Sequence, residues 1–511
     1  MRRIAVIDIG SNSVRCLVAQ VPANGAYRVL TEDRAQTRLA AGLVSGKRLT
    51  DEAMQATLEA LVRMAEITRH YRVDTVRAVA TAALRSASNG ARLIESIAQT
   101  TGIQVEIISP REEARLAFLG ARANFELAGR SLVLDVGGGS VEIVRAAGTA
   151  IESDRSLPLG AVVLTERFLT RDPPSDKEFK RLRRWVRQML ATEFGPQPDP
   201  IGVVIGSGGS VTALAGMAAR IEKWSYTSVH AAELTQAQVA QRVSGLRRMT
   251  LEERRAVPGL PEHRADIIVA GALVVAEVMA HFSANSLKVN AKGLREALLL
   301  DTIEKETERP TPPADRMRGV LEFARRMRFD REHALHVCML ALSLFDQLAG
   351  PLGMDPSDRQ LLEAAAVLHD IGYFVSYDKH HKHTYHLVSH ATLPGFSPRQ
   401  VQMIASVARY HRGALPARGH ESMRHLSPED RVRAQQLAAL LRVADGLDRS
   451  RSQYVGSVAV TVSDQAADLA LSGAAPLGIE VYGALQKGSL FERVFGLELR
   501  VDGHASGSDG L

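Results

Sequence analysis

Asp8-Ile9-Gly10-Ser11-Asn12-Ser13 and Asp135-Val136-Gly137-Gly138-Gly139-Ser140 close two apolar runs, Ile4 to Ile9 and Leu132 to Val136, and the match between them decides the fold. Each run delivers an aspartate, then glycines that let backbone N–H groups approach an anion, then small hydroxyl or amide side chains. A second strand follows each time, Val14 to Val21 and Val141 to Ala146. Strand, tight turn, strand is not the strand–turn–helix layout of dinucleotide or P-loop sites. One Asp-Gly turn is ordinary turn chemistry. Two in the same setting predict a two-lobed phosphate site.

Outward from these loops the chain reads as α/β. Residues 1–125 alternate strands (Ile4 to Ile9, Leu17 to Val21, Thr75 to Ala80, Gln104 to Ile108) with helices (Asp51 to Tyr71, Asn89 to Thr101, Arg111 to Asn124). Residues 126–304 repeat the order: strands Leu132 to Val136, Val141 to Ala146 and Ile151 to Asp154, a helix around Lys177 to Glu193, and a strand Ile201 to Ile205. A third glycine turn, Gly206-Ser207-Gly208-Gly209-Ser210, then opens a helix, where its N–H groups would add positive potential. Helices Val211 to Arg220, Gln236 to Met249, Ala265 to His281 and Gly293 to Ile303 complete this lobe. Glu304 to Ala314 is charged and proline-rich, a linker composition. Residues 315–451 read as almost wholly helical and 454–501 as a small α+β segment; Asp502 to Leu511 is Gly/Ser-rich and expected to fray.

Composition sets the class. With 511 residues, 45% hydrophobic and 23% charged, the chain is globular and too long for one core. Lys and Arg outnumber Asp and Glu by 63 to 57, a net +6 that suits a polyanionic ligand without requiring nucleic acid. Lys180 to Arg187 carries a basic run on an amphipathic helix, read as a solvated face ahead of an anion track. Cys16 and Cys338 lie in separate apolar runs, which fits buried thiols in a reducing compartment. The chain shows neither a signal peptide nor an apolar stretch of membrane-spanning length, so a cytoplasmic protein is expected.

Several side chains could carry chemistry. Ser109-Pro110-Arg111-Glu112-Glu113 marks a helix start with Ser109 as N-cap, and a capping box would use Glu112 and leave Glu113 free. Glu113 is either a first-turn acid favoured by the helix dipole or, if it faces the cleft, a general base toward water. Asp8 and Asp135 suit a hard divalent cation such as Mg²⁺, with Glu142 a further ligand or a surface acid. Arg85 either reaches a phosphate or is a plain surface arginine.

Six motifs, DIGSNS from Asp8, ATAALR ending at Arg85, SPREEAR from Ser109, LDVGGGSVE from Leu134, GSGGS from Gly206 and GLRE from Gly293, resemble in order and spacing those of the exopolyphosphatase and guanosine pentaphosphate phosphohydrolase family. That resemblance implies two actin-like lobes of the acetate kinase, Hsp70 and actin type, ribonuclease H-like in each half. It further implies a site between them and Glu113 as catalytic base. Gly10, Ser11, Asn12, Ser13, Gly137, Gly138, Gly139, Ser140, Ser207, Gly208 and Gly209 would then hold the polyphosphate end with Mg²⁺, and a homodimer is expected.

The helical region carries a second constellation in the order of an HD-type metal phosphohydrolase. His333, His369, Asp370 and Asp445 are the four expected ligands of a transition metal or Mn²⁺, and His383 and His411 are candidates for a second ion. The competing reading makes the histidines the lining of a basic passage for polyphosphate. The resulting expectation is an Mg²⁺-dependent exopolyphosphatase. Its rivals are hydrolysis of pppGpp at the same site, an actin-like kinase, and a (p)ppGpp-binding sensor; no nucleic-acid or membrane partner is expected.

Overall fold

A computed structural model describes residues 1–22, 27–127, 129–196, 198–201, 203–224, 228–307 and 315–505. The chain divides into two compact units, Met1–Ala314 and Asp315–Leu511.

The first unit is built on two sheets. β1 (Arg2–Ile9), β2 (Val14–Val21), β3 (Arg28–Ala35), β4 (Thr75–Ala80) and β5 (Val105–Ile107) lie in the order β3-β2-β1-β4-β5. β1, β2 and β3 are antiparallel neighbours, whereas β1, β4 and β5 are parallel. The second sheet holds β6 (Arg130–Val136), β7 (Val141–Ala147), β8 (Ala150–Leu157), β9 (Val203–Gly208), β10 (Glu233–Thr235) and β11 (Ser286–Val289), ordered β10-β11-β9-β6-β7-β8. Read from β8, it repeats the first sheet: an antiparallel β8-β7-β6 meander followed by parallel β9 and β11. The lobes are therefore two copies of one actin-like plan, with β10 added at one edge.

Both central strands, β1 and β6, are buried almost throughout, because sheet neighbours and helices cover them on both faces. The helix Pro110–Asn124 serves both lobes. Its Leu116 and Leu119 pack with Ile4, Val6 and Leu17 of the first sheet, while Ala114, Ala117 and Phe118 pack with Val133, Val144 and Ile205 of the second. That double burial fixes where its first turn points.

Several segments differ from the sequence reading. β3, Arg-Val-Leu-Thr-Glu-Asp-Arg-Ala, is an edge strand with a mostly exposed pattern, so apolar periodicity gave no signal. β10 and β11 are too short to show one. Gly206-Ser207-Gly208 is not a turn but the end of β9, and the helix begins directly at Gly209. The helix expected to stop at Ile303 continues to Thr307, taking in the start of the charged segment; 308–314 lie outside the described residues.

In the second unit, helices Arg316–Arg326, Arg331–Leu348, Arg359–Leu368, His380–Ser389, Pro398–Arg409 and Pro428–Gly446 surround an apolar core. The sheet β12 (Val455–Val462), β13 (Ala466–Gly473), β14 (Glu498–Ala505), with helices Gly478–Lys487 and Ser489–Phe495, contributes to that same core through Val455, Leu469, Phe491 and Val501. Residues 502–505, expected to fray, extend β14 in parallel register with β13; 506–511 are outside the described residues. Cys16 and Cys338 are buried free thiols, as expected.

Candidate active site and a second polar cluster

A cavity of about 540 Å³ opens between the sheets of the first unit, lined by both glycine loops. Gly10, Ser11, Asn12, Ser13, Gly137, Gly138, Gly139 and Ser140 all face it, as do Gly208, Gly209 and the carboxylates Asp8, Glu113, Asp135 and Glu142. The loops share one closure: Gly10 N–H donates to Ser13 O at 3.1 Å and Gly137 N–H to Ser140 O at 3.0 Å. The second loop is braced from behind. Ala161 N–H donates to Gly137 O and Val162 N–H to Gly138 O, each at 3.0 Å, which commits those carbonyls and leaves loop amides to face an anion.

Glycine is required where the lobes and strands meet. A Cβ on Gly139 would fall 2.5 Å from Ser11 Oγ and 2.9 Å from Ala82 Cβ, so the second loop's backbone passes directly against the Ser11 side chain. Gly208 has φ +93°, and a Cβ there would lie 2.3 Å from Val136 O.

β1–β2 and β6–β7 place their side chains equivalently. Register pairs Asp8 with Arg15 and Asp135 with Glu142, each seven residues after its aspartate. One lobe therefore presents an arginine where the other presents an acid. Glu142 is buried and accepts from Ser156 Oγ at 2.8 Å, so it is no surface acid. Ser207 does not line the cavity; its hydroxyl donates to Leu134 O at 3.4 Å.

The Ser109 side chain caps the helix Pro110–Asn124 by accepting from Glu112 N–H at 3.1 Å. The capping box expected there is only half formed, because the Glu112 carboxylate turns to Arg115, accepting from Nε and Nη2 at 2.8 Å each. Glu113 is not free either. It is buried and accepts from both terminal nitrogens of Arg85 at 3.2 Å, while Arg85 also donates to Ile108 O at 2.7 Å. Arg85 thus braces Glu113 and does not line the cavity.

Crowding sets the electrostatics. Burial pushes the Glu113 carboxyl up to about 9, reinforced by Glu142 and opposed by Arg85. Burial and Asp135 raise Glu142 to about 7. Burial lifts Asp8 to about 6, with Arg15 opposing, and raises Asp135 while Ser207 opposes. Asp8 Oδ1 is buried with no hydrogen-bond partner. Clustered buried carboxylates with an unsatisfied oxygen are a donor set that fits a hard divalent cation. The cavity is also lined by Arg15, Arg34, Arg264 and Arg295, with the acids Glu32 and Asp33, of which Glu32 pairs with Arg295 at 2.8 Å. Among the described residues no carboxylate pairs with Arg15, Arg34 or Arg264, and burial plus neighbouring arginines lower Arg34 to about 10 and Arg264 to about 9. The sequence reading made none of the four a site residue, although Arg295 lies in the GLRE motif; aligning the two loops would have put Arg15 at the position equivalent to Glu142.

The family model of the Ppx/GppA phosphatase family matches residues 17–306, and that of Ppx/GppA phosphatase domain III matches 316–481. The chain belongs to the Ppx/GppA phosphatase family. Among solved structures it is similar to the Aquifex aeolicus Ppx/GppA family member, at 31% identity over 60% of this chain and 98% of that one, with a TM-score of 0.52. It is also similar to an exopolyphosphatase from Cytophaga hutchinsonii, at 27% identity over 60% and 98%, with a TM-score of 0.56. This Ppx/GppA member is thus a phosphatase, of a family whose activity depends on divalent metal. No helix among its described residues is long and apolar enough to cross a membrane.

The second unit of this Ppx/GppA phosphatase gathers its histidines. His333 sits in the first turn of Arg331–Leu348, His369 and Asp370 follow Arg359–Leu368, and Asp445 is near the end of Pro428–Gly446. His333 Nε2 lies 3.3 Å from His369 Nε2, 3.7 Å from Asp370 Oδ2 and 3.5 Å from Asp445 Oδ1. His411 joins them, but its partner is His380, at the start of His380–Ser389, and not His383. His383 lies three residues further along that helix and belongs to neither cluster. The basic helix run keeps the solvated face expected of it, with Lys180, Arg181, Arg184 and Arg187 exposed, while Arg183 and Arg187 each donate to buried Glu277 at 2.6 Å.

Proposed function

We propose that this phosphatase is an exopolyphosphatase releasing terminal phosphate from inorganic polyphosphate in the cavity between the glycine loops. Four arginines line the cavity beside Glu32 and Asp33, and no aromatic side chain lines it among the described residues, which favours a polyanion over a stacked purine. That observation carries the choice of polyphosphate over pppGpp.

The loop amides and Arg15, Arg34 and Arg264 bind and orient the chain end. Glu113 accepts the proton of a water whose oxygen bonds the terminal phosphorus, while the P–O bond to the rest of the chain breaks. Arg85 opposes the upward pressure on the Glu113 pKa and fixes the carboxylate's direction. Asp8, Asp135 and Glu142 would hold Mg²⁺, which when bound would neutralise charge on the phosphoryl oxygens and offset the Glu142 and Asp135 charges that add to the burial-driven rise of Glu113. Catalysis on this reading is positioning and charge neutralisation.

The test offers purified protein long-chain polyphosphate, short-chain polyphosphate and pppGpp in parallel with Mg²⁺ while released phosphate is followed. Faster turnover of pppGpp than of either polyphosphate would overturn the reading.

A further inference from the structure

Thr81 follows β4, and the sheet order β3-β2-β1-β4-β5 puts that strand between the two that lead into the chemistry. β1 runs into the first glycine loop, and β5 runs into Ser109 and the helix that bears Glu113. The three strands are parallel and finish at one level, with Ile9 paired to Ala80 and Ala80 to Ile107. The backbone carries this arrangement one residue further: Thr81 N–H donates to Ile9 O at 3.3 Å and Ile108 N–H to Ala80 O at 3.1 Å. Thr81 therefore leaves the sheet with the Gly10 loop on one side and the start of the Glu113 helix on the other. Ala82, next in the chain, meets the second loop, since a Cβ on Gly139 would fall 2.9 Å from its own.

Thr81 is also the N-cap of the short helix Ala82–Ser86, where a threonine hydroxyl ordinarily accepts from a backbone N–H of the first turn. Here no such bond forms. Ser109, at the matching place after β5, does make its capping bond, to Glu112 N–H at 3.1 Å. The Thr81 hydroxyl meets no hydrogen-bond partner among the described residues, yet Thr81 is only 5% exposed and lines the cavity. Buried hydroxyls are seldom left unpaired, so this one is completed by what enters the cavity.

We infer that the Thr81 hydroxyl holds the attacking water. The inference rests on the proposed hydrolysis, in which Glu113 takes one proton of that water. A hydroxyl oxygen accepts as well as donates, so Thr81 Oγ takes a hydrogen bond from the water's second hydrogen, which stays on the oxygen as that oxygen bonds phosphorus and the P–O bond to the leaving chain breaks. With one hydrogen aimed at Glu113 and the other at Thr81, a lone pair of the water is left for the phosphorus. Arg85 links the two anchors: its N–H donates to Thr81 O at 3.1 Å, and its guanidinium donates to Glu113 at 3.2 Å. The arrangement is the same whatever follows the terminal phosphate.

The test compares Thr81→Val, which keeps the branched shape without the hydroxyl, and Thr81→Ser, which keeps the hydroxyl, on whichever of long-chain polyphosphate and pppGpp the parent hydrolyses faster. The kcat of Thr81→Val should fall about 10²-fold, the scale of a misplaced reacting group, with KM, Mg²⁺ requirement and Tm unchanged, and Thr81→Ser should recover most of the loss. A kcat for Thr81→Val equal to the parent's, a loss carried by KM, or a serine variant as slow as the valine one overturns the inference. If Thr81→Val does not fold, Thr81→Ala, which removes the hydroxyl and adds no bulk, is judged by the same outcomes. Substrate preference is read from the parent alone, so a parent that prefers pppGpp overturns the polyphosphate reading while the water's anchor is still decided on pppGpp.

Discussion

The two lobes of the first unit share one strand order and one loop closure, yet they carry opposite charge at one equivalent position. Arg15 stands opposite Asp8 on β2, and Glu142 stands opposite Asp135 on β7. The two amide-rich loops share one plan and differ at a single register position, where the proposed function has Arg15 grip phosphate and Glu142 favour a metal. Glu113 is electrostatically part of the acid side: Glu142 and Asp135 both press on it, although its chain neighbours belong to the first lobe. The shared helix Pro110–Asn124 makes this possible by burying one face against each sheet.

The largest break in this asymmetry should come from Glu113→Gln, which keeps shape and removes the proton acceptor. Turnover is expected to fall by at least about 10²-fold, the range for a lost general base, with polyphosphate binding spared. Retention of a tenth of parental phosphate release would move the base elsewhere. Asp135→Asn and Glu142→Gln weaken the acid side and should raise the Mg²⁺ needed for half-maximal rate by roughly 10- to 100-fold, judged from the sensitivity of metal sites to their supporting carboxylates. An Mg²⁺ titration indistinguishable from the parent would show that these acids hold no cation.

On the basic side, Arg15→Gln should raise KM for polyphosphate about tenfold, the loss of one charge-assisted contact, with a smaller change in kcat. A loss confined to kcat would contradict a gripping role. Arg85→Met sharpens the comparison through pH. Arg85 lowers the Glu113 pKa, so its removal should move the acidic limb of kcat/KM to higher pH; an unmoved limb would detach Arg85 from the base.

The smallest effect concerns stability without metal. Asp8, Glu142 and Glu113 have folded-state pKa values raised to about 6, 7 and 9. Between the ordinary carboxylate range and those values the folded state binds more protons than the unfolded, so stability falls as pH rises. Thermal melts in a chelator should therefore drop from pH 5 to 8, and saturating Mg²⁺ should flatten that slope.

Much of this architecture was legible because it rests on buried, apolar strands ending in glycines: β1 and β6 announce themselves, and the charged edge strand β3 does not. The loop residues could be read for the same reason, since small residues after a buried strand have few other uses. Partnerships across the chain were harder. Glu112 meets Arg115 instead of its cap, Arg85 meets Glu113 instead of solvent, and His380 replaces His383 because helix phase, fixed by packing, decides which imidazole turns inward. Arg34, Arg264 and Arg295 come from separate elements, and only the folded chain brings them to one cavity.

The backbone contact at Gly139 sets a mechanical limit. Side chains that meet across a seam can change rotamer, but Gly139 has none, and a Cβ there would fall 2.5 Å from Ser11 Oγ and 2.9 Å from Ala82 Cβ. A single methyl at Gly139 would therefore act as a wedge, prising the second loop away from the first.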